Sequence, residues 1–287
     1  MKKILSIGSI LVYVLACGPV QKNDKAIITV SILPHKYFVE RIAGENFEIN
    51  VITPPGASPE TYEPTPKQMR ALAGSVLHFA NGHLMFEDHL VQKSKKELSG
   101  KMIDLSRGID FIAGDIVDHG DHVHLFGIDP HYWLSPAEAK IQAQNMLDAI
   151  IAYDPENRSF YEKNFQNFMD EIDALHQHIT KLLSETSTRT FLIYHPSFSY
   201  FARQYDLDQV ALEMDGNEPT VAHIKYIVDL AMRQGINTVL VQRQFNRASA
   251  EAVAKEIGGN VEFLDPLPEN WLENMYTIAH TLQKVLK

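Results

Sequence analysis

The chain has 287 residues, of which 45% are hydrophobic and 22% are charged, as is usual for a globular protein whose core needs no disulfide. That length accommodates one large α/β domain or two small ones. The formal net charge of −10 argues against a nucleic-acid partner, because binding to phosphates requires a basic face.

The N-terminus has the pattern of a secretory signal. Lys2 and Lys3 precede a short apolar run over 4–15, and Ala16 and Cys17 follow it. The run is too short to span a bilayer. A small residue before cysteine resembles a bacterial lipobox, which would make Cys17 the lipidated first residue of the mature protein; the alternative is a plain signal peptide. We expect residues 1–25 to be a lipoprotein signal peptide and tether, and the protein to be extracytoplasmic and anchored to a membrane.

The cysteine count limits the chemistry of the exported part. Cys17 is the single cysteine of the chain, so the exported part has neither a disulfide nor a thiolate ligand. Any metal site must therefore use histidine and carboxylate side chains.

The first half alternates short β-branched runs with helical segments. Strands are predicted at 26–32, 48–53, 75–80 and 101–105, and helices at 34–43, 66–73 and 86–98. This alternation predicts a parallel sheet with helices on its faces. The loop over 54–66 is rich in proline and glycine and unusually long for a compact domain, which suggests either a functional loop or disorder.

The centre of the chain carries a histidine-rich patch and then a long helix. The patch spans 118–124 and contains His119, His122 and His124. A helix over 136–153 follows, and Asp154 and Pro155 then supply an N-cap and a first-turn proline. From there to residue 183 no proline or glycine interrupts, and one apolar stripe has helical spacing: Tyr161, Phe165, Phe168, Ile172, Leu175, Ile179 and Leu182. This pattern predicts a long helix that connects two halves.

The second half repeats the architecture of the first without a repeat in sequence. Strands are predicted at 189–194, 208–212, 237–242 and 261–264, with helices after 196 and at 219–234, 248–257 and 269–286. The predicted fold is α/β, with two four-stranded parallel-sheet lobes, helices on both faces, and one long linking helix. We expect the first lobe to span 26–153, the linking helix 154–185 and the second lobe 186–287.

Four side chains follow strands at positions where α/β proteins bind ligands, beyond the carboxyl ends of the strands. His195 and Asp265 directly follow strands of the second lobe, whereas Glu60 and His131 lie in loops of the first. Two imidazoles and two carboxylates can close a site for a divalent first-row ion in the cleft between the lobes. Taken singly, His195 could cap a helix, Asp265 could belong to a turn, and Glu60 could be solvated.

Five motifs in order resemble a known family. They are Pro-Pro-Gly-Ala-Ser-Pro at 54–59, Tyr-Glu-Pro-Thr-Pro at 62–66, Asp-Pro-His-Tyr-Trp-Leu at 129–134, Tyr-His-Pro at 194–196 and Leu-Asp-Pro-Leu at 264–267. Together they resemble the metal-binding lipoproteins of bacterial zinc and manganese ABC importers, closest to the zinc branch. The resemblance covers the chain from about residue 27 and implies an extracytoplasmic receptor, not an enzyme, that hands its ion to a membrane permease. It implies metal ligands at Glu60, His131, His195 and Asp265, and we expect a monomer.

The chain departs from the family at the first ligand. Zinc members usually have histidine where this chain has Glu60, and manganese members have glutamate where it has His195. Zinc accepts this mixture of imidazole and carboxylate, and similar but longer histidine-rich loops occur in zinc members. We therefore predict Zn²⁺ as the ion, with His119, His122 and His124 as accessory ligands or as a solvated loop. Mn²⁺ or iron is the alternative within this class.

Other interpretations stay open at this point. His35 and His83 also lie near strand ends, and either of them, or a water, could replace Glu60. A zinc-dependent hydrolase would need a base, for which Glu63 and Glu213 are the candidates, but the chain has no His-Glu-x-x-His helix. A surface adhesin with a structural metal is the third interpretation.

Overall fold

The computed structural model describes residues 25–94, 100–113, 116–118, 123–125, 127–214, 217–245 and 247–287, with the backbone alone described at 91–94, 116–118 and 123–125. Two four-stranded parallel sheets organise this part of the chain. The predicted α/β class with two parallel-sheet lobes is therefore confirmed. No helix in these ranges combines the length and apolarity that a bilayer crossing requires.

The first lobe contains the first four strands. They are β1 (Ile27–Val30), β2 (Glu48–Val51), β3 (Leu77–Ala80) and β4 (Met102–Asp104), in the spatial order β2-β1-β3-β4. The helices between them are α1 (Leu33–Ala43), α2 (Pro66–Ala73) and α3 (Met85–Ser94). All four residues of β3 are buried, as expected of a central strand that helices cover on both faces.

A hairpin that the sequence did not predict follows the first sheet. Strands β5 (Ile116–Asp118) and β6 (Val123–Leu125) pair antiparallel and contain the two ends of the histidine-rich patch. His119 and His122 lie outside the described residues, as does Cys17, and only the backbone of His124 is described. The accessory ligands and the lipidation site therefore stay predictions.

Two long helices connect the lobes. They are α4 (Pro136–Tyr153) and α5 (Arg158–Ser184). Helix α5 has 27 residues, about 40 Å at 1.5 Å per residue, and packs against α1 and α4. Its predicted stripe is buried at five positions, partly buried at Phe165 and Leu182, and continued by Leu183.

The start of the linking helix differs from the prediction. Residues Pro155–Asn157 form a 3-10 turn before α5 begins, and Asp154 makes no side-chain cap to this turn. The carboxylate of Asp154 instead accepts hydrogen bonds from Asn157 Nδ2 (2.9 Å) and Tyr161 Oη (2.5 Å). Asp154 thus stands at the predicted N-cap position before Pro155, but at the start of the 3-10 turn and without a side-chain cap bond, and Asn157 is the N-cap residue of α5.

The second lobe has the same strand order as the first. Its strands are β7 (Thr190–Ile193), β8 (Asp208–Ala211), β9 (Thr238–Val241) and β10 (Asn260–Phe263), in the order β8-β7-β9-β10. Its helices are α6 (Ser199–Tyr205), α7 (Val221–Gln234), α8 (Arg247–Glu256) and α9 (Trp271–Val285). In each lobe the first and third strands are therefore neighbours, and ligands of open α/β sheets bind where the order reverses between such strands.

The largest hydrophobic cluster joins the two lobes. It contains side chains from both sheets, from α4 and α5, and from α9. A second cluster lies in the second lobe and includes Leu192, Val239 and Ile227. Because one core is shared, the lobe boundaries at 153 and 185 stay a prediction.

Two tryptophans form hydrogen bonds between the lobes. Trp133, just after His131, donates through Nε1 to the carbonyl of Pro266 (2.8 Å). Trp271 donates through Nε1 to the carbonyl of Trp133 (2.7 Å). Both indoles are buried, so each N–H needs such a partner. The loop before α4 is thereby fixed to the loop after β10.

Two histidines of the first lobe lie in its core. His35 and His78 are buried, and His35 Nε2 contacts Gln142 Nε2 at 3.1 Å. Burial lowers the pKa of His35 to about 3, and His78 adds to this shift through its charge. Burial also lowers the pKa of His78 to about 4. Both imidazoles are therefore neutral in the folded protein at neutral pH.

We expect Trp271→Phe to lower the free energy of unfolding. The ring contacts with Phe38 and Phe168 would largely remain, whereas the buried Trp133 carbonyl would lose its donor, at a cost of about 1–3 kcal/mol. Urea unfolding followed by circular dichroism measures the change. Tyr153→Phe, at an exposed aromatic, is the control, and equal stability of both variants would contradict this role of Trp271.

The neutral core histidines predict a loss of stability in acid. The folded pKa values of His35 and His78 lie below the ordinary 6.5, so unfolding takes up protons as pH falls from about 6.5 to 4. The free energy of unfolding should fall over this pH window. Each of the two histidines contributes a loss of up to about 1.4 kcal/mol for each pH unit. We expect a shallower slope for His78→Gln in urea unfolding at several pH values; a slope equal to that of the natural chain would contradict the assignment.

Candidate metal centre

Three of the four predicted ligands meet at the junction of the lobes. Glu60, His131 and His195 each offer a donor atom within 4.8 Å of the others. The two Nε2 atoms are 3.3 Å apart, His195 Nε2 lies 3.2 Å from Glu60 Oε2, and His131 Nε2 lies 3.8 Å from Glu60 Oε1. Donors about 2.1 Å from a tetrahedral ion are about 3.4 Å from each other. The separations therefore fit one small divalent cation.

His131 is oriented by a carboxylate of its own loop. Asp129 Oδ1 lies 2.9 Å from both the backbone N–H and Nδ1 of His131. With Nδ1–H donating to Asp129, Nε2 of the neutral ring is free to bind a cation. Burial lowers the pKa of His131, but Asp129 outweighs it through its hydrogen bond and charge, aided by Glu60 and Glu213, so the net shift is upward.

His195 has an equivalent partner from the second lobe. Its Nδ1 lies 2.6 Å from Oε1 of Glu213, which follows β8 and is buried. The ring of Phe245 stacks on the imidazole with centroids 4.7 Å apart. Glu213 and Phe245 together fix the ring plane and turn Nε2 towards His131.

Glu60 reaches the site from the long loop after β2. The loop closes on α2, where Gln68 Nε2 donates to the Ile52 carbonyl (2.6 Å) and Tyr62 donates to Gln68 Oε1 (2.8 Å). Thr65 caps α2 with a reciprocal capping box. The Glu60 side chain is 32% exposed, against 5% for His131 and 9% for His195. The carboxylate is thus the most accessible of the three clustered side chains.

Asp265 is not a member of the three-residue group. It follows β10 by two residues, and its Oδ1 accepts the N–H of Leu267 (3.0 Å) and Nε2 of Gln244 (3.3 Å). Its carbonyl accepts from Asn274 Nδ2 (2.8 Å). Its role as the fourth ligand stays a prediction.

The alternative residues lie elsewhere. His35 is in the core, and His83 contacts Phe111 and Ser106; neither joins the group. Glu63 is 71% exposed and lies 3.7 Å from His89. Glu213 pairs with Nδ1 of His195.

The orienting roles of Asp129 and Glu213 were missed by the sequence analysis. For Asp129 a signal was present, because an aspartate two residues before a ligand histidine can bond to that histidine. Glu213 could have been found as the polar residue that follows the end of β8. Its partner is 18 residues away in sequence, so the pairing itself needs the sheet.

The geometry predicts how the His131 pKa depends on Asp129. Asp129→Asn removes the negative charge that raises the pKa of His131, so this pKa should fall. Titration of the imidazole resonances by NMR in metal-free protein measures the shift. Asp110→Asn removes an acid whose side chain is 95% exposed and is the control; an unchanged His131 pKa in Asp129→Asn would contradict the pairing.

Comparisons with known proteins indicate the family of the chain. A family model described as "Zinc-uptake complex component A periplasmic" matches residues 28–285. The chain is 28% identical to a putative metal-binding protein of Chlamydia muridarum (strain MoPn / Nigg), over 91% of this chain and 90% of that protein. It is 26% identical to the high-affinity zinc uptake system protein ZnuA of Bacillus subtilis (strain 168), over 86% and 80% of the two chains.

A solved structure supports the same conclusion. A crystal structure of ZnuA superposes with a TM-score of 0.84 at 35% identity, covering 92% of this chain and all of that one. The family resemblance inferred from the motifs is thereby confirmed. The chain belongs to the family of periplasmic A components of zinc-uptake complexes.

Proposed function

We propose that this protein is the extracytoplasmic zinc receptor of an ABC importer, which binds Zn²⁺ between its lobes and delivers it to a membrane permease. The observation that carries the proposal is the cluster of Glu60, His131 and His195, whose donor atoms come from both lobes at separations suited to one ion. Membership of a zinc-uptake family supports the cargo and the kind of partner.

The proposed fourth ligand is Asp265. It precedes Pro266, whose carbonyl accepts the Trp133 indole N–H, so its loop is fixed beside the loop of His131. Asp265 would complete a site of two imidazoles and two carboxylates, which Zn²⁺ accepts at about 2.0–2.2 Å. Mn²⁺ or iron is the alternative cargo, because two carboxylates could also serve an ion that prefers oxygen.

The proposed role is a carrier rather than a hydrolase. The family is one of transport proteins. Four protein ligands would leave no coordination position for a reactive water, which catalytic zinc sites keep open. Glu213, the buried base candidate, bonds to His195 Nδ1 and therefore orients a ligand.

The N-terminal sequence supports a lipid anchor. Cys17 follows a short apolar run and a small residue, and residues 18–25 would tether the receptor to the membrane that holds its permease. We also propose a monomer, because the three clustered donor side chains all come from one chain. Mass spectrometry of the membrane-extracted protein would detect the lipid on Cys17.

Zinc titration of metal-free protein by calorimetry tests the proposal. We expect one Zn²⁺ per chain, bound more tightly than Mn²⁺. His131→Ala removes a ligand and leaves Asp129 buried beside the gap, so affinity should fall by at least about 100-fold, more than the loss of an outer partner costs. A natural chain that binds no zinc would overturn the proposal.

Two further variants separate ligands from bystanders. His83→Ala removes a partly exposed histidine outside the cluster and should leave zinc affinity unchanged. Asp265→Asn keeps the side-chain volume and should weaken zinc binding if the fourth ligand is correct. Unchanged affinity in Asp265→Asn would remove that residue from the ligand set and leave the three-residue site in place.

A further inference from the structure

Two buried carboxamides occupy equivalent positions in the two lobes. Asn81 is the first residue after β3, and Gln242 is the first residue after β9. Strands β3 and β9 are the third strands of their lobes and both are central in their sheets. Both side chains are fully buried, at 0% exposure. Each amide thus lies at the carboxyl edge of its sheet, beneath a loop that carries a ligand.

Gln242 is bonded to the backbone of a ligand residue. Its Oε1 accepts the N–H of His195 (3.3 Å), and its Nε2 donates to the carbonyl of the same residue (2.6 Å). Nε2 also donates to Ser197 Oγ (2.8 Å). Both backbone polar groups of His195 are therefore held by one side chain.

Asn81 holds the residues on either side of His131. Its side-chain Nδ2 donates to the carbonyl of Pro130 (3.0 Å), and its backbone carbonyl accepts the hydroxyl of Tyr132. The Asn81 N–H donates to Glu87 Oε1 (2.6 Å), which fixes the turn from which these bonds are made. The backbone before His131 and the side chain after it are thereby fixed to the end of β3.

We propose that Asn81 and Gln242 are positioning residues that set the zinc affinity by fixing the backbones of the two histidine ligands. The inference rests on the proposed function. An amide suits the task because it offers both a donor and an acceptor. A carboxylate would face the Pro130 or His195 carbonyl with an acceptor, and it would bury an additional charge.

This role differs from that of the carboxylates behind the imidazoles. Asp129 and Glu213 bond to the ring Nδ1 atoms and select the tautomer, whereas Asn81 and Gln242 make no contact with either ring in the described structure. The amides position the backbone from which each imidazole side chain extends. With the Nε2 atoms already 3.3 Å apart, a small displacement of either backbone would move one donor out of reach of a shared ion.

The test compares near-isosteric variants. Asn81→Asp and Gln242→Glu keep size but lose the donor to a backbone carbonyl, and each should weaken zinc binding by about 10–100-fold, as outer-shell changes do. Thr29→Val and Thr238→Val are the controls. They remove buried hydroxyls from the same two sheets. The Thr29 hydroxyl bonds to Ser75, and the Thr238 hydroxyl bonds to Asn237 and Asn260. Both variants should leave zinc affinity unchanged.

A second readout separates positioning from general destabilisation. Co²⁺ loaded in place of zinc reports coordination geometry through its visible absorption, so Asn81→Asp and Gln242→Glu should shift this spectrum while the threonine variants do not. If either amide variant fails to fold, Asn81→Ala and Gln242→Met remove the side-chain amides without adding a buried charge.

The outcomes separate this inference from the proposed function. Natural protein that binds zinc, with amide variants of the same affinity and Co²⁺ spectrum, would overturn the positioning role and leave the receptor function standing. Natural protein that binds no zinc would overturn the function itself. Weakened binding with a shifted spectrum in the amide variants alone would support the inference.

Discussion

The short segment from Asp129 to Trp133 is hydrogen-bonded to both lobes, and the site depends on it. The carbonyl of Asp129 accepts a hydrogen bond from Tyr200 Oη (2.9 Å). The carbonyl of Pro130 accepts one from the Asn81 side chain, and the carbonyl of Trp133 accepts one from the Trp271 indole. The Trp133 indole donates to Pro266. Because the bonds come from α6, the end of β3 and both ends of the loop before α9, His131 has one position relative to His195. Two imidazoles from different lobes can therefore share an ion without first rearranging.

The charge around this segment favours a divalent cation. Carboxylates outnumber imidazoles, since Asp129 and Glu213 lie behind the rings and Glu60 lies between them. Buried like charges repel unless a cation or hydrogen bonds offset them, so a divalent ion would relieve repulsion as it binds. Helix α5, which packs against both α1 and α9, limits how far the lobes can separate. The receptor thus has a largely pre-formed candidate site, in which Glu60 is the most accessible side chain.

Much of the fold could be predicted from the sequence, because strand and helix patterns are local. The predicted strands contain most of the observed ones, and α2 and α4 match at both ends. Errors arose where individual side-chain bonds or very short strands decide the structure. Asp154 bonds to Tyr161 rather than capping the linking helix, and the hairpin around the histidine-rich patch forms from strands of only three residues. Strands that short carry too few side chains to give a periodic signal.

The sequence by itself determined the α/β class, the two-lobe architecture, the family resemblance and the candidate ligands, because residues at strand ends become neighbours in any parallel sheet. Only the tertiary structure decided which candidates meet. It brings Glu60, His131 and His195 together, leaves His35 in the core, and pairs Glu213 with His195. It also reveals the equivalence of Asn81 and Gln242, which share neither residue type nor local motif. Such contacts depend on the register of neighbouring strands and on how the two lobes pack, and neither is written in local periodicity.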